Sequence, residues 1–142
     1  MAEVMIRDAV PADAEALAEL NKNEMGYEYP VGKTRDKVAA LAGDKILVAE
    51  LEGRVVGYVH LNGYDLLYHD HLKNIMGVAV DSHCRRMGIG RRLLAAAEDW
   101  ARETGAAGVR LVSGEGRTGA HAFYRALGYE GNKKQLNLKK MF

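Results

Sequence analysis

The sequence predicts one mixed α/β domain over residues 1–142, and three observations carry that prediction. Two apolar runs, at residues 46–49 and 55–59, flank the turn Glu52-Gly53-Arg54 and read as a hairpin. A nearly continuous apolar segment at residues 75–80 precedes an amphipathic stretch from Ile89 and a further run at 109–112. That order predicts a strand, a crossover helix and a parallel strand of right-handed connection. With 142 residues, the chain is long enough for one substantial core and too short for two ordinary domains.

Taken in order, Val4-Met5-Ile6 is a short strand, and Pro11 opens a helix through residues 14–20 that frays near Gly26. Tyr27, Tyr29 and Pro30 then occupy a loop, and residues 34–42 form a second helix closed by Gly43. After the hairpin, the polar link Tyr68-His69-Asp70-His71 leads into the strand at 75–80, whose unbroken apolar run suits a centrally buried position. In the next helix Leu93, Leu94, Ala97, Trp100 and Ala101 recur on one face, while Arg91, Arg92, Glu98, Asp99 and Arg102 take the other. Gly105 closes it. A last helix runs from about Thr118 to Leu127 and stops at Gly128, and the partial alternation of residues 133–140 predicts a terminal strand.

Composition narrows the function classes. An apolar fraction of 48% with 27% charged residues belongs to a globular chain rather than a disordered one. Twenty basic and nineteen acidic side chains leave a formal charge of +1, which gives no general attraction to nucleic acid or to an acidic membrane. No apolar run approaches spanning length and no signal-peptide pattern opens the chain, so the expectation is a cytoplasmic protein with neither membrane nor nucleic-acid partner. The single Cys84 excludes an internal disulfide and reads as a bystander rather than a nucleophile.

The chemistry concentrates at Arg85-Arg86-Met87-Gly88-Ile89-Gly90, between an apolar strand and a helix. Two glycines at that spacing let successive backbone N–H groups converge, the helix N-terminus adds a positive dipole, and the arginines supply forked donors. An anion such as a phosphate suits this turn. Together with Ala120-His121-x-Phe123-Tyr124-x-x-x-Gly128-Tyr129 after the next strand, Arg85-x-x-Gly88-x-Gly90 resembles the GNAT superfamily of acyl-CoA-dependent N-acetyltransferases, over nearly the whole chain. The resemblance implies a mostly antiparallel central sheet with a splayed parallel strand pair, flanked by helices. It also implies acetyl-CoA as cosubstrate. Its pantetheine arm would lie along Val78, Ala79 and Val80, and its diphosphate over Arg85, Arg86, Met87, Gly88, Ile89 and Gly90, with Arg91 close by. Arg117 stands where many members carry asparagine, and Ala120 keeps the family spacing. Tyr124 falls at the usual general-acid position, where its phenol would protonate the coenzyme A thiolate.

The base is less directly marked, because the strand glutamate of many relatives has no counterpart between Ile75 and Ala79. His69 and His71, or a water that they hold, are the candidates for proton acceptor, against a plain solvated loop. His69-x-His71 lacks a third convergent ligand, so no metal site is expected. The segment Met25-Gly26-Tyr27-Glu28-Tyr29-Pro30 reads either as a frame for the acceptor pocket, with Glu28 meeting an ammonium, or as an ordinary surface loop. The expected acceptor is a small-molecule primary amine. The pattern Ser113-x-x-x-Arg117-x-x-Ala120-His121-x-Phe123-Tyr124 is similar to that of small-amine acetyltransferases, including those of aminoalkylphosphonates. Protein or peptide amines, and a catalytically weak acyl-CoA sensor, are the alternatives, and a homodimer is left open as an assembly.

Overall fold

The computed structural model describes residues 3–142, which divide into two compact units, one ending at Leu111 and one running from Val112 to Phe142. In the first unit the strands β1 (Val4–Asp8), β2 (Lys45–Leu51), β3 (Arg54–Tyr64), β4 (Leu72–Val80) and β5 (Gly108–Leu111) form one sheet in chain order. The first three pairings are antiparallel and β4–β5 is parallel. Hairpin β2–β3 turns at Glu52 and Gly53, both at positive φ (52° and 77°), the geometry that matches the twist of the strands it joins.

Side-chain alternation explains the layers. Tyr58 points to the face where Leu17 and Leu20 of α1 (Ala14–Met25) and Val38 of α2 (Val31–Ala39) join Ile46, Val48 and Ala79 in one core. Gly57 points to the other face, and a Cβ placed there would meet Ile89 and Leu93 of α3 (Ile89–Glu103), each at 3.2 Å. The missing side chain lets α3 sit close to the sheet. Leu93, Leu94 and Ala97 are fully buried there, as the helical spacing predicts.

Two bulges shape the sheet, one of them where the β2–β3 register shifts between Ala49 and Glu50. In the β3–β4 ladder His60 pairs with Gly77 and Leu61 with Ile75, so Met76 is the extra residue and β4 bends at that point. The second unit holds α4 (Thr118–Ala126), closed by Gly128 at φ 96°. Among the described residues no helix is long and apolar enough to cross a membrane.

Boundaries shift modestly from the sequence reading. Helix α2 starts at Val31, directly after Pro30, rather than at Thr34. The terminal strand expected at residues 133–140 is a correction: residues 129–142 form no strand, and Leu136 and Leu138 are 86% and 83% exposed. Alternation makes a strand only where a neighbouring edge accepts its hydrogen bonds, and this segment joins no ladder.

Candidate active site

Strand β4 is the backbone of the site. Its parallel ladder with β5 runs from Leu72–Gly108 to Ile75–Leu111 and stops, and among the described residues no strand pairs with residues 76–80 on that side. Which groups face this open edge follows from two contacts. The Asp81 amide donates to the Val56 carbonyl at 2.8 Å, and the Ala79 carbonyl points at Gly57, so both residues direct their backbone toward β3. By alternation, Val78 and Val80 present N–H and C=O to the open edge. An extended ligand with amide groups can pair with them as a strand would.

Past β4, a 3-10 turn (Ser82–Cys84) is capped by Asp81, whose carboxylate accepts from the His83 amide at 2.8 Å. That hydrogen bond, the His83 ring and the charge of Arg54 hold the Asp81 carboxyl below its usual range. Arg86 (φ 69°) and Gly88 (φ 72°) then bend the chain into α3. Gly88 is the N-cap, and the space where its Cβ would stand is open. The first intrahelical bond is donated by Arg92 to the Gly88 carbonyl, so the amides of Ile89, Gly90 and Arg91 have no carbonyl one turn back. The turn thus combines a left-handed entry, three first-turn amides and the exposed side chains of Arg85, Arg86 and Arg91. Such a turn suits a diphosphate. Ile89 itself is buried, Met87 is exposed, and Arg92 ties α3 to β1 through the Val4 carbonyl.

In the second unit, Arg117 is the N-cap of α4 and its amide donates to the Gly114 carbonyl. His121 is held by its own contact to that carbonyl at 2.9 Å, which accounts for it as a structural residue. Ala120 lies in the first turns of α4, partly exposed. Tyr124 is 8% exposed and lies edge-on to Phe123 and Tyr129 at centroid distances of 5.5 and 6.0 Å. Burial raises its phenol above the ordinary value, and the charge of Arg117 partly offsets this, so the group is protonated at neutral pH. The Ser113 hydroxyl is buried with no protein partner.

A match to the family model for the acetyltransferase (GNAT) family spans residues 14–129. The chain belongs to that GNAT family. Among curated relatives it is 31% identical to an aminoglycoside N(6')-acetyltransferase type 1 of Stenotrophomonas maltophilia, covering 88% of this chain and 85% of the relative. It is 33% identical to an aminoalkylphosphonate N-acetyltransferase of Salmonella typhimurium, covering 88% and 84%. The fold of an aminoglycoside N-acetyltransferase in complex with CoA superposes with a TM-score of 0.86 at 17% identity, over 99% of this chain and 96% of that one.

Within this GNAT fold the histidines separate. His69 and His71 lie in the turn before β4, where the His71 Nδ1 contacts Asp65 at 2.6 Å. Seven residues of strand, about 23 Å at ~3.3 Å each, divide His71 from Val78. The histidine that the register brings beside Gly77 is His60, whose Nε2 contacts Asp44 at 3.0 Å. Its place opposite Gly77 depends on strand register and on the bulge, neither of which sequence spacing reveals. Among the described residues no group of three or more His, Cys, Asp or Glu could hold a metal ion. The loop after α1 lines a groove of about 540 Å³ in which Glu28, Tyr29 and Pro30 meet Glu15, Glu19 and Lys22 of α1. Glu28 there lies 3.8 Å from Lys22 and Tyr29 is flanked by Lys33 and Lys37, so both have neighbours within the chain.

Proposed function

We propose that this chain is an acetyl-CoA-dependent N-acetyltransferase that moves acetyl directly to the primary amine of a small molecule, its two units acting as one catalytic domain. The observation that carries this reading is the junction of an open β4 edge, with Val78 and Val80 facing out, and the Arg85–Gly90 turn at the start of α3. Pantetheine amides pair with Val78 and Val80, and Ala79 between them anchors the strand to β3. The diphosphate takes the amides of the turn and the guanidinium groups of Arg85, Arg86 and Arg91. Arg117 and Ala120, at the start of α4, make the remaining cofactor contacts.

The amine nitrogen attacks the thioester carbon, and a backbone N–H near Val80 stabilises the oxygen as charge develops. The C–S bond breaks and Tyr124 protonates the leaving thiolate, a role its protonated, partly desolvated phenol suits. The proton released by the amine passes to ordered water. At their distance His69 and His71 take part as acceptors in such a relay rather than by direct contact. The acceptor class draws support from relatives that are named for small amines.

The test is incubation with acetyl-CoA and a panel of primary amines and peptides, read by free thiol and by acceptor mass. Thiol release matched by acetylated small amine supports the reading. Thiol release without an acetylated acceptor, or acetylated peptides alone, overturns it.

A further inference from the structure

Beside the point where β4 and β5 part, the sheet carries a guanidinium held from two sides. Arg110 is the penultimate residue of β5, paired in register with Asn74. Its Nη1 donates to the Asn74 Oδ1 at 2.6 Å, and its guanidinium carbon stands 4.1 Å from the centre of the Tyr64 ring. Asn74 is itself oriented, since its Nδ2 donates to Asn62 at 3.2 Å. Asn62, Tyr64 and Asn74 therefore lie on one face of the sheet, and the register puts Gly77 and Ala79 on that face too.

Among the described residues no carboxylate lies within 4 Å of Arg110, although the side chain is only partly exposed. Of its five N–H donors one is used by Asn74, a neutral acceptor. On the same face His60 is taken by Asp44, which directly precedes β2. A half-buried cation so fixed, with its fork unmatched, suits a planar or tetrahedral oxyanion. Asn74 and Gly77 are three residues apart with the Met76 bulge between them, so they are separated by less than the about 10 Å of a regular strand at ~3.3 Å per residue. A short linker thus spans from an anion on Arg110 to an amine at the open edge of β4.

We propose that Arg110 selects the acceptor: the amine carries an anionic group, carboxylate or phosphonate, a few bonds from the nitrogen, and Arg110 binds that group. This rests on the acetyl-transfer reading above and narrows its substrate class. Asn74 and Tyr64 are positioning residues, because they hold the guanidinium without touching the amine.

The experiment compares 2-aminoethylphosphonate, β-alanine and the neutral amine propylamine in wild type, Arg110→Gln and Arg110→Lys. Wild type should favour at least one anionic amine over propylamine by tenfold or more in kcat/KM, and which one is favoured tells phosphonate from carboxylate. Arg110→Gln should remove most of that preference through KM while its propylamine rate stays within about threefold, and Arg110→Lys should restore part of it. Equal kcat/KM for all three amines in wild type, or an anionic preference that survives Arg110→Gln, overturns the proposal and leaves the acetyl-transfer reading standing. Calorimetry of the same compounds on the same proteins reads binding without turnover. Binding of an anionic amine that Arg110→Gln weakens, with no acetylation of any amine, keeps the anion site and sinks the transfer reading. Should Arg110→Gln fail to fold, competition of methylphosphonate or propionate against propylamine in wild type replaces it, and absence of inhibition overturns the proposal.

Discussion

In the proposed transfer the Tyr124 hydroxyl supplies the proton for the departing thiolate. Tyr124→Phe keeps the ring, so packing against Phe123 and Tyr129 persists while the donor is lost. Turnover should fall by about 10²–10⁴-fold, the usual worth of a positioned acid, with acetyl-CoA affinity unchanged by calorimetry. Because burial raises the Tyr124 phenol, the wild-type rate should hold through neutral pH and decline only above the ordinary phenol value of about 10. An identical alkaline limb in Tyr124→Phe would remove the assignment. Asp13 gives a stability counterpart. Its carboxylate accepts from Arg7 at 2.8 and 2.9 Å and from the Val10 amide at 2.8 Å, and these bonds hold its pKa below the ordinary value. A depressed folded pKa stabilises the fold above the unfolded value, near 4, and that contribution disappears as pH falls through the folded value. Asp13→Asn should cost about 1–3 kcal/mol in urea unfolding at pH 7, with the gap to wild type narrowing below about pH 4.

Among the elements, the N-terminus of α3 depends on one residue's backbone. Gly88 occupies φ 72°, and open space stands where its side chain would be. The Cβ of Gly88→Val therefore meets no protein atom, but the substitution strains the turn and directs methyl groups to where the diphosphate is proposed to lie. Acetyl-CoA affinity should drop at least tenfold in a folded variant, and unchanged calorimetric affinity would contradict the phosphate assignment. This turn was legible in the sequence because its signal is local: two glycines, flanking arginines and a helical period in Leu93, Leu94 and Ala97. The hairpin was legible for the same reason. What escaped was cross-strand. The bulge at Met76, His60 opposite Gly77, and Arg110 against Asn74 and Tyr64 all depend on register, which no single segment encodes. The tail failed differently, since the alternation around Leu136 and Leu138 is a strand signal without a partner strand.

For the whole molecule, the sheet and its helices divide the labour. Core packing of α3 holds the Arg85–Gly90 turn against the strands, and Leu93→Ala, at a fully buried position, should cost roughly 2–5 kcal/mol in urea unfolding. The early end of the β4–β5 ladder leaves an edge on which an extended cosubstrate can complete the pairing. The family match spans residues 14–129 and so includes parts of both units. The most direct measurement follows the acyl group itself: acetyl-CoA labelled isotopically in its acetyl carbon, incubated with the protein and a small primary amine, with the label traced by mass spectrometry. The account predicts label on the amine nitrogen, in step with thiol release and with no acetylated protein intermediate. Label appearing only as free acetate, or trapped on the protein, would contradict it.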